Sequence, residues 1–331
     1  MHEEPLFDKL TLIGLGLIGS SIARAARTHC AVRKIAALDS SPRVLARVRE
    51  LEIVDDASGD VEQALGDADL VILCAPVGAC GAIARDIAPH LKHGAILSDV
   101  GSVKGSIVKA VAPHVPPGVR FVPAHPLAGT EYSGPDAGFA TLFKNRWCLL
   151  TPIDQAAFER DHSNADNVAP SLSQRAPHAE NDAVDALAEF WKRLGAKVEV
   201  TTPEHHDLAL AITSHLPHLI AFNIVGTADH LEKVTESEVI KFSASGFRDF
   251  TRIAASDPTM WRDVFLNNKG AVLEMLSRFN ADLAALQRMI EVDDGEGLFD
   301  LFTRTRAIRR GIVEQGQDTA APDFGRPHEK A

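Results

Sequence analysis

The stretch Gly14-Leu15-Gly16-Leu17-Ile18-Gly19 limits what this chain can fold into more than any other. A short apolar run, Leu10 to Ile13, leads into it, and a helical pattern with apolar Ile22, Ala23 and Ala26 follows over Ser20 to Thr28. A second apolar strand, Lys34 to Leu38, closes on Asp39. A G-x-G-x-x-G between strand and helix, with an acid about 20 residues past the last glycine, predicts a dinucleotide-binding βαβ unit. Gly14 permits the tight turn, Gly16 lets the backbone approach a pyrophosphate, and Gly19 lets the helix pack on the strand. The helix N-terminus, at Leu17 and Ile18, offers unpaired N–H groups to phosphate. Asp39 suits a ribose 2′-hydroxyl and repels a 2′-phosphate, which favours NAD over NADP. Arg43, close by, keeps the second cofactor open.

Strand and helix continue to alternate. Pro42 to Leu51 reads as helix, Asp69 to Ala75 as strand, and a helix follows Pro76-Val77-Gly78 to about His90. Ala95 to Asp99 is a strand running into Val100-Gly101-Ser102-Val103-Lys104 and a helix to about Pro113; Val119 to Pro123 is a further strand. This order predicts an α/β fold with a Rossmann-type, doubly wound parallel sheet. Ligands on such sheets lie at the carboxyl ends of the strands. Those ends carry Gly14–Gly19, Asp39, Ala75, Pro76, Val77, Gly101, Ser102 and the Pro/Gly-rich stretch 124–135, which reads as loop. That loop holds His125, Thr130 and Glu131 where the alternating half gives way to a helical one, a place where a two-domain enzyme keeps reacting groups.

After a strand near Trp147–Thr151, the segment 153–182 is polar and irregular and reads as a surface insertion. Val184, Leu187, Phe190, Trp191 and Leu194 then recur at helical spacing. Lys197 to Thr201 is a short strand. Helical patterns cover Glu204 to about Gly226 (interrupted by Pro217), Val234 to Ala244, Pro258 to Ile290 with a break near Asn280, and Glu296 to Glu314. The expected organisation is a nucleotide-binding domain over 1–152, a polar linker over 153–182, a helical substrate-binding and dimerisation domain over 183–314, and a disordered tail over 315–331. The net charge of −11 argues against a nucleic-acid partner. An acidic start, no apolar run near membrane-spanning length, and four cysteines without metal-ligand spacing predict a cytoplasmic protein with no membrane partner and no metal.

Three clusters mark the helical half: Ser214-His215-Leu216-Pro217-His218, Gly246-Phe247-Arg248-Asp249-Phe250-Thr251-Arg252, and Asp257-Pro258-Thr259-Met260-Trp261. Arg248 and Arg252 share a face if their segment is helical, and their forks suit either a ligand carboxylate or a local ion pair. His215 and His218 read equally as ligand-binding or as core residues satisfied by the carbonyl that Pro217 frees. His205-His206 reads as a solvated helix start.

With these clusters assembled, the chain resembles the prephenate/arogenate (cyclohexadienyl) dehydrogenase family of tyrosine biosynthesis. The resemblance rests on Ser-Asp-Val-Gly-Ser-Val-Lys at 98–104, His-Pro-Leu-Ala-Gly-Thr-Glu at 125–131, Ser-His-Leu-Pro-His at 214–218, Phe-Arg-Asp-Phe-Thr-Arg-Ile-Ala at 247–254 and Asp-Pro-Thr-Met-Trp at 257–261. It implies NAD-dependent oxidative decarboxylation of prephenate, L-arogenate or both, and makes tyrosine a candidate feedback inhibitor; the long apolar helices of the second half predict a homodimer. By the same resemblance, His125 is the catalytic base and Ser102 its hydroxyl-binding partner. Arg252 holds the substrate carboxylate, Ser214 and His218 recognise its side chain, and Thr130, Glu131, Asp249 and Trp261 line the pocket. The residues themselves leave two other readings: a different Rossmann hydroxyacid dehydrogenase, or a dinucleotide sensor without turnover.

Overall fold

A computed structural model describes residues 4–130, 132–153, 178–235, 238 and 240–314. The glycine stretch sits where its spacing places it, between strand β1 (Phe7–Ile13) and helix α1 (Leu17–Thr28). Strand β2 (Val32–Leu38), helix α2 (Pro42–Glu50), β3 (Asp56–Ser58), α3 (Val61–Leu65), β4 (Leu70–Leu73), α4 (Cys80–Ile87), β5 (Ile96–Asp99), α5 (Lys104–Val111) and β6 (Arg120–Phe121) follow. The six strands pair in parallel in the order β3-β2-β1-β4-β5-β6, the order of a dinucleotide-binding Rossmann sheet. Ile13 is level with Leu38 and Leu73, and Leu73 with Asp99. That register brings Gly14, Asp39, Cys74 and Val100 together along the carboxyl edge. Short β3 and α3 lack an apolar run of their own and are not legible in the sequence.

The stretch 124–135 is not all loop. Ala124–Pro126 forms β7, which pairs antiparallel with β8 (Trp147–Leu150); β8 pairs in parallel with β9 (Lys197–Val200). Pro126 is compatible because it ends its strand on the sheet edge. His125, level with Leu149, is thus fixed by a strand rather than carried on a loop. Helix α6 (His178–Arg193) starts earlier than its apolar period suggests. Its Leu187, Phe190 and Trp191 are fully buried in one core with Leu10, Leu12 and Ile22. The rest of the expected insertion, 154–177, and the expected tail, 315–331, lie outside the described residues.

Thr202 caps helix α7 (Pro203–Leu210), accepting from the His205 N–H. A π-helical turn, Ala211–His215, joins it to α8 (Leu216–Thr235). The interruption expected at Pro217 therefore falls just before it, where a widened turn relieves the missing proline N–H. The run Pro203–Val234 is long and apolar enough to cross a membrane by length and composition, contrary to the sequence reading. Among the described residues of 234–244 there is no separate α-helix: α8 ends at Thr235, and Ile240–Phe242 is a 3-10 turn. Helix α9 (Ser245–Thr251) runs into a 3-10 turn, Arg252–Ala255. Asp257 caps α10 (Pro258–Asn267) through the Met260 N–H, and Pro258 stands in the first turn. The next break is at Asn268 rather than Asn280. The side-chain amide of Asn268 is held by the Asp207 carbonyl and by His215 at this point.

The chain divides into two compact units, Met1–Val272 and Leu273–Ala331. The second comprises most of α11 (Lys269–Glu291) and α12 (Gly295–Glu314). Leu273, Leu283, Ile290, Phe299, Phe302 and Ile308 of these helices are exposed.

Candidate active site

The carboxyl edge of the large sheet is built for a dinucleotide. Gly14 takes φ +95°, and a Cβ there would meet the Cys74 carbonyl at 2.6 Å. A Cβ on Gly19 would meet the Gly14 carbonyl at 2.2 Å, whereas one on Gly16 would meet nothing within 4 Å. Gly16 is thus the open point of the turn. No side chain of its N-cap residue caps α1 and no acid stands in its first turn, which leaves its N–H groups open to an anion. Asp39 is half-buried, with one carboxylate oxygen accepting from Leu15 N at 3.0 Å and the other from Ser41 N at 2.8 Å. These residues fit a dinucleotide: a pyrophosphate over Gly16, a ribose at Asp39. The stretch after Thr130 is tied to the same end. Arg24 donates to the Pro135 carbonyl at 3.4 Å, the Phe139 N–H donates to Ser21, and Arg47 forms a two-pronged pair with Asp136.

Beside this edge lies a buried polar cluster. Lys104 and Asp99 form an ion pair with both side chains fully shielded from solvent. Lys104 Nζ also donates to the Ala124 carbonyl at 2.6 Å, and Asp99 accepts from Gly101 N at 2.7 Å. The pair therefore ties the end of β5, the start of α5 and the strand bearing His125 together. His125 Nδ1 lies 2.9 Å from His206 Nε2, and His206 Nδ1 lies 2.8 Å from Asp207 Oδ1. Asp207 accepts from Lys104 N at 2.7 Å and Gly105 N at 2.9 Å, which caps α5 from another helix. His215 is buried against Asn268, with its Nδ1 at 3.1 Å from the amide nitrogen.

Burial keeps all three imidazoles neutral. His125 is held well below its usual value by burial first, then by His206, Lys104 and His215. His206 is lowered by burial, against the opposing effect of its hydrogen bond to Asp207. His215 is brought down to about 4 by burial, with the backbone of Ser102 opposing.

A third group completes the site. His218 Nδ1 donates to the Ser214 carbonyl, 2.8 Å away, and its ring stacks on Trp261. Burial lowers the pKa of His218, the hydrogen bond to Ser214 opposes it, and the charge of Arg252 lowers it further. The π turn matters here because it ends at His215, which lies against Trp261 and Asn268, and leads into His218, which stacks on Trp261. Widened turns of this kind recur at functional sites.

Residues 22–164 match the family model described as prephenate dehydrogenase, nucleotide-binding domain, and residues 202–304 the one described as prephenate dehydrogenase, dimerization domain. A cyclohexadienyl dehydrogenase from Zymomonas mobilis is 39% identical over 307 residues, covering 93% of this chain and 97% of that protein. A prephenate dehydrogenase from Bacillus subtilis is 30% identical, covering 96% and 79%. The crystal structure of prephenate dehydrogenase from Aquifex aeolicus with hydroxyphenyl propionate and NAD+ superposes with a TM-score of 0.79 at 30% identity, over 92% of this chain and 98% of that one. Arogenate dehydrogenase from Synechocystis superposes at 0.70 and 25% identity, over 92% and 99%. The chain belongs to the prephenate dehydrogenase family.

The structure places the residues expected to serve the site as follows. His125 is buried on β7, and Ser102 is half-buried at the end of β5 with its backbone close to His215. Ala75, Pro76, Val77 and Gly101 line the edge next to Gly14; a Cβ on Gly101 would meet Val77 at 3.4 Å. Leu17 and Ile18 are half-buried in the first turn of α1. His218 stacks on Trp261 and is held by the backbone carbonyl of Ser214, whose residue is half-buried. Asp249 lies half-buried on α9 and Arg252 is exposed on the turn that follows. Thr130 is exposed, and its hydroxyl accepts from Tyr132 N at 3.3 Å. Glu131 lies outside the described residues.

The reading of His205-His206 as a solvated helix start fails at His206. His205 is exposed, but His206 is fully buried and bonded to His125. The helical period carried the missing signal: Pro203, His206 and Leu210 are the buried positions of α7, and His206 lies on their face.

Proposed function

We propose that this chain catalyses oxidative decarboxylation of prephenate, L-arogenate or both, with NAD⁺ as oxidant and His125 as general base. The family assignment and the nucleotide-binding edge support the reaction. The observation that carries the base is the buried, neutral imidazole of His125 on the sheet's cofactor side. When bound, NAD⁺ supplies the hydride acceptor. His125 takes the proton of the ring hydroxyl, and Ser102 orients that hydroxyl. Arg252 clamps a substrate carboxylate as a planar fork. Ser214, His218 and Trp261 form the wall that reads the side chain, while Thr130, Glu131 and Asp249 border the pocket. Loss of CO₂ leaves the bonding pair in the ring, which becomes aromatic, and the proton held by His125 returns to the phenolate oxygen. No net proton is released. L-tyrosine carries the product ring and is the expected inhibitor of the same pocket.

The protein acts as a homodimer in this reading. The dimerization description of its second family match supports that, as do the exposed apolar side chains of α11 and α12, which a second copy would cover. Cys30, Cys74, Cys80 and Cys148 are free thiols, in keeping with a cytoplasmic location.

The test is NADH formation by purified protein with prephenate and with arogenate, under NAD⁺ and NADP⁺. Turnover with NAD⁺ is expected, and the ratio of kcat/KM values names the substrate. Folded, NAD-binding protein that turns over neither compound would contradict the proposal.

A further inference from the structure

Three side chains stand in line: Asp207, His206 and His125, with successive contacts of 2.8 and 2.9 Å. Neither His206 nor Asp207 has a role in the reaction as described so far. Their chemistry fixes the protons. The Asp207 carboxylate can only accept, so Nδ1 of His206 must carry the hydrogen between them. A neutral His206 then has a bare Nε2. That nitrogen can only accept, so Nδ1 of His125 must carry the hydrogen of the second bond. Nε2 of His125 is left with its lone pair.

We propose that His206 and Asp207 are positioning residues for the base, setting the tautomer of His125 so that Nε2 is its proton acceptor. This rests on His125 being the base. When Nε2 takes the hydroxyl proton, His125 becomes an imidazolium whose Nδ1–H points at His206. The positive charge is then shared toward Asp207 through two hydrogen bonds, and the same proton returns through Nε2 to the phenolate. Asp207 is held for this by two backbone donors, Lys104 N and Gly105 N, on a different element from the histidines. His206 is fully buried and the Asp207 side chain is 13% exposed. The logic is that of a Ser-His-Asp triad, with a second histidine between carboxylate and base.

The other groups facing this line are Lys104 and Asp99 from the end of β5 and the start of α5, His215 from the π turn, and Cys148 from β8. Lys104 and His215 depress His125, while Asp207 and Asp99 favour a proton on His206. Removing the Asp207 charge therefore shifts the pair toward lower pKa.

Asp207→Asn is the decisive variant. It removes the charge toward which the imidazolium of His125 is shared, and its amide N–H is set either against Gly105 N or against Lys104 N and Nδ1 of His206, so the hold on His206 is lost or loosened. We expect kcat to fall by about 10²–10⁴-fold, with NAD⁺ affinity kept and the acid limb of the kcat/KM profile moved to lower pH. Because Asp207 also caps α5, His206→Gln and His206→Leu serve as a second pair. The Gln oxygen can still accept from His125 Nδ1–H, so His206→Gln should retain at least about tenfold more kcat than His206→Leu. Nitrogen-15 NMR of the resting wild-type protein should show His125 protonated at Nδ1. The proposal is overturned if folded Asp207→Asn keeps wild-type kcat and pH profile, if His206→Gln and His206→Leu are equally active, or if His125 carries its hydrogen on Nε2. His125→Asn, run beside them, separates the failures: its inactivity with an active Asp207→Asn removes only the positioning pair, whereas its activity removes the base.

Discussion

The imidazole of His218 lies flat on the indole of Trp261, with ring centroids 3.6 Å apart and planes 24° apart. The two residues come from separate clusters in the sequence, and Trp261 reaches the core with 6% of its surface exposed. The contact makes one wall from two helices. Trp261→Ala should cost about 3–5 kcal/mol of stability, measurable by urea unfolding. Trp261→Phe keeps an aromatic face, so it should stay folded and raise the substrate KM while leaving NAD⁺ affinity unchanged. An unchanged KM in Trp261→Phe and in His218→Ala would remove this wall from the substrate site.

Lys104 and Asp99 are a buried pair, and each holds backbone on a neighbouring element. Lys104→Met leaves a buried carboxylate without its partner and should destabilise by about 3–5 kcal/mol. The double variant Lys104→Met, Asp99→Leu should recover part of that loss, because no buried charge remains. Denaturation midpoints of the single and double variants decide it: equal losses would mean that the charge itself is not what matters.

The buried histidines give stability a pH dependence with a definite sign. The pKa of His215 falls from 6.5 in the unfolded chain to about 4 in the fold, and His125 and His206 are lowered as well. The unfolded state thus binds more protons in this window. Their contribution is fully present above about pH 6.5 and is lost as pH falls toward about 4. The urea midpoint should drop between pH 7 and pH 5. His215→Asn should flatten that slope, and a slope as steep as wild type in this variant would exclude His215 as a contributor.

Two glycines of the same turn should behave oppositely. A Cβ at Gly19 would meet the Gly14 carbonyl at 2.2 Å, so Gly19→Ala should destabilise the fold. Gly16 has φ −75° and open space where a Cβ would go. Gly16→Val should therefore fold with a near-wild-type Tm but lose NAD⁺ affinity, because its side chain occupies the pyrophosphate's approach. Calorimetry and fluorescence titration with NAD⁺ separate the two, and tight NAD⁺ binding by Gly16→Val would move the phosphate site elsewhere.

What the sequence made legible is what local rules determine. The glycine spacing, the acid at Asp39 and the apolar strands depend on near neighbours, and the sheet follows from them. Asp257 and Pro258 announce a helix start that the structure keeps. The strand around His125 was hidden because its partners, β8 and β9, lie far along the chain and Pro126 argues for a turn. His206 was hidden because two adjacent histidines in a polar helix start look solvated, and only the fold brings His125 to one of them. The break at Asn268 was misplaced because its cause is tertiary: the amide is held by Asp207 and His215.

The most direct test of the central claim is a paired measurement on His125→Asn: NAD⁺ affinity by titration, and NADH formation with saturating prephenate or arogenate. The account predicts wild-type NAD⁺ affinity with turnover reduced by at least about 10²-fold. Turnover near wild type in this variant would contradict it, and a lost NAD⁺ affinity would mean that His125 serves the cofactor rather than the proton.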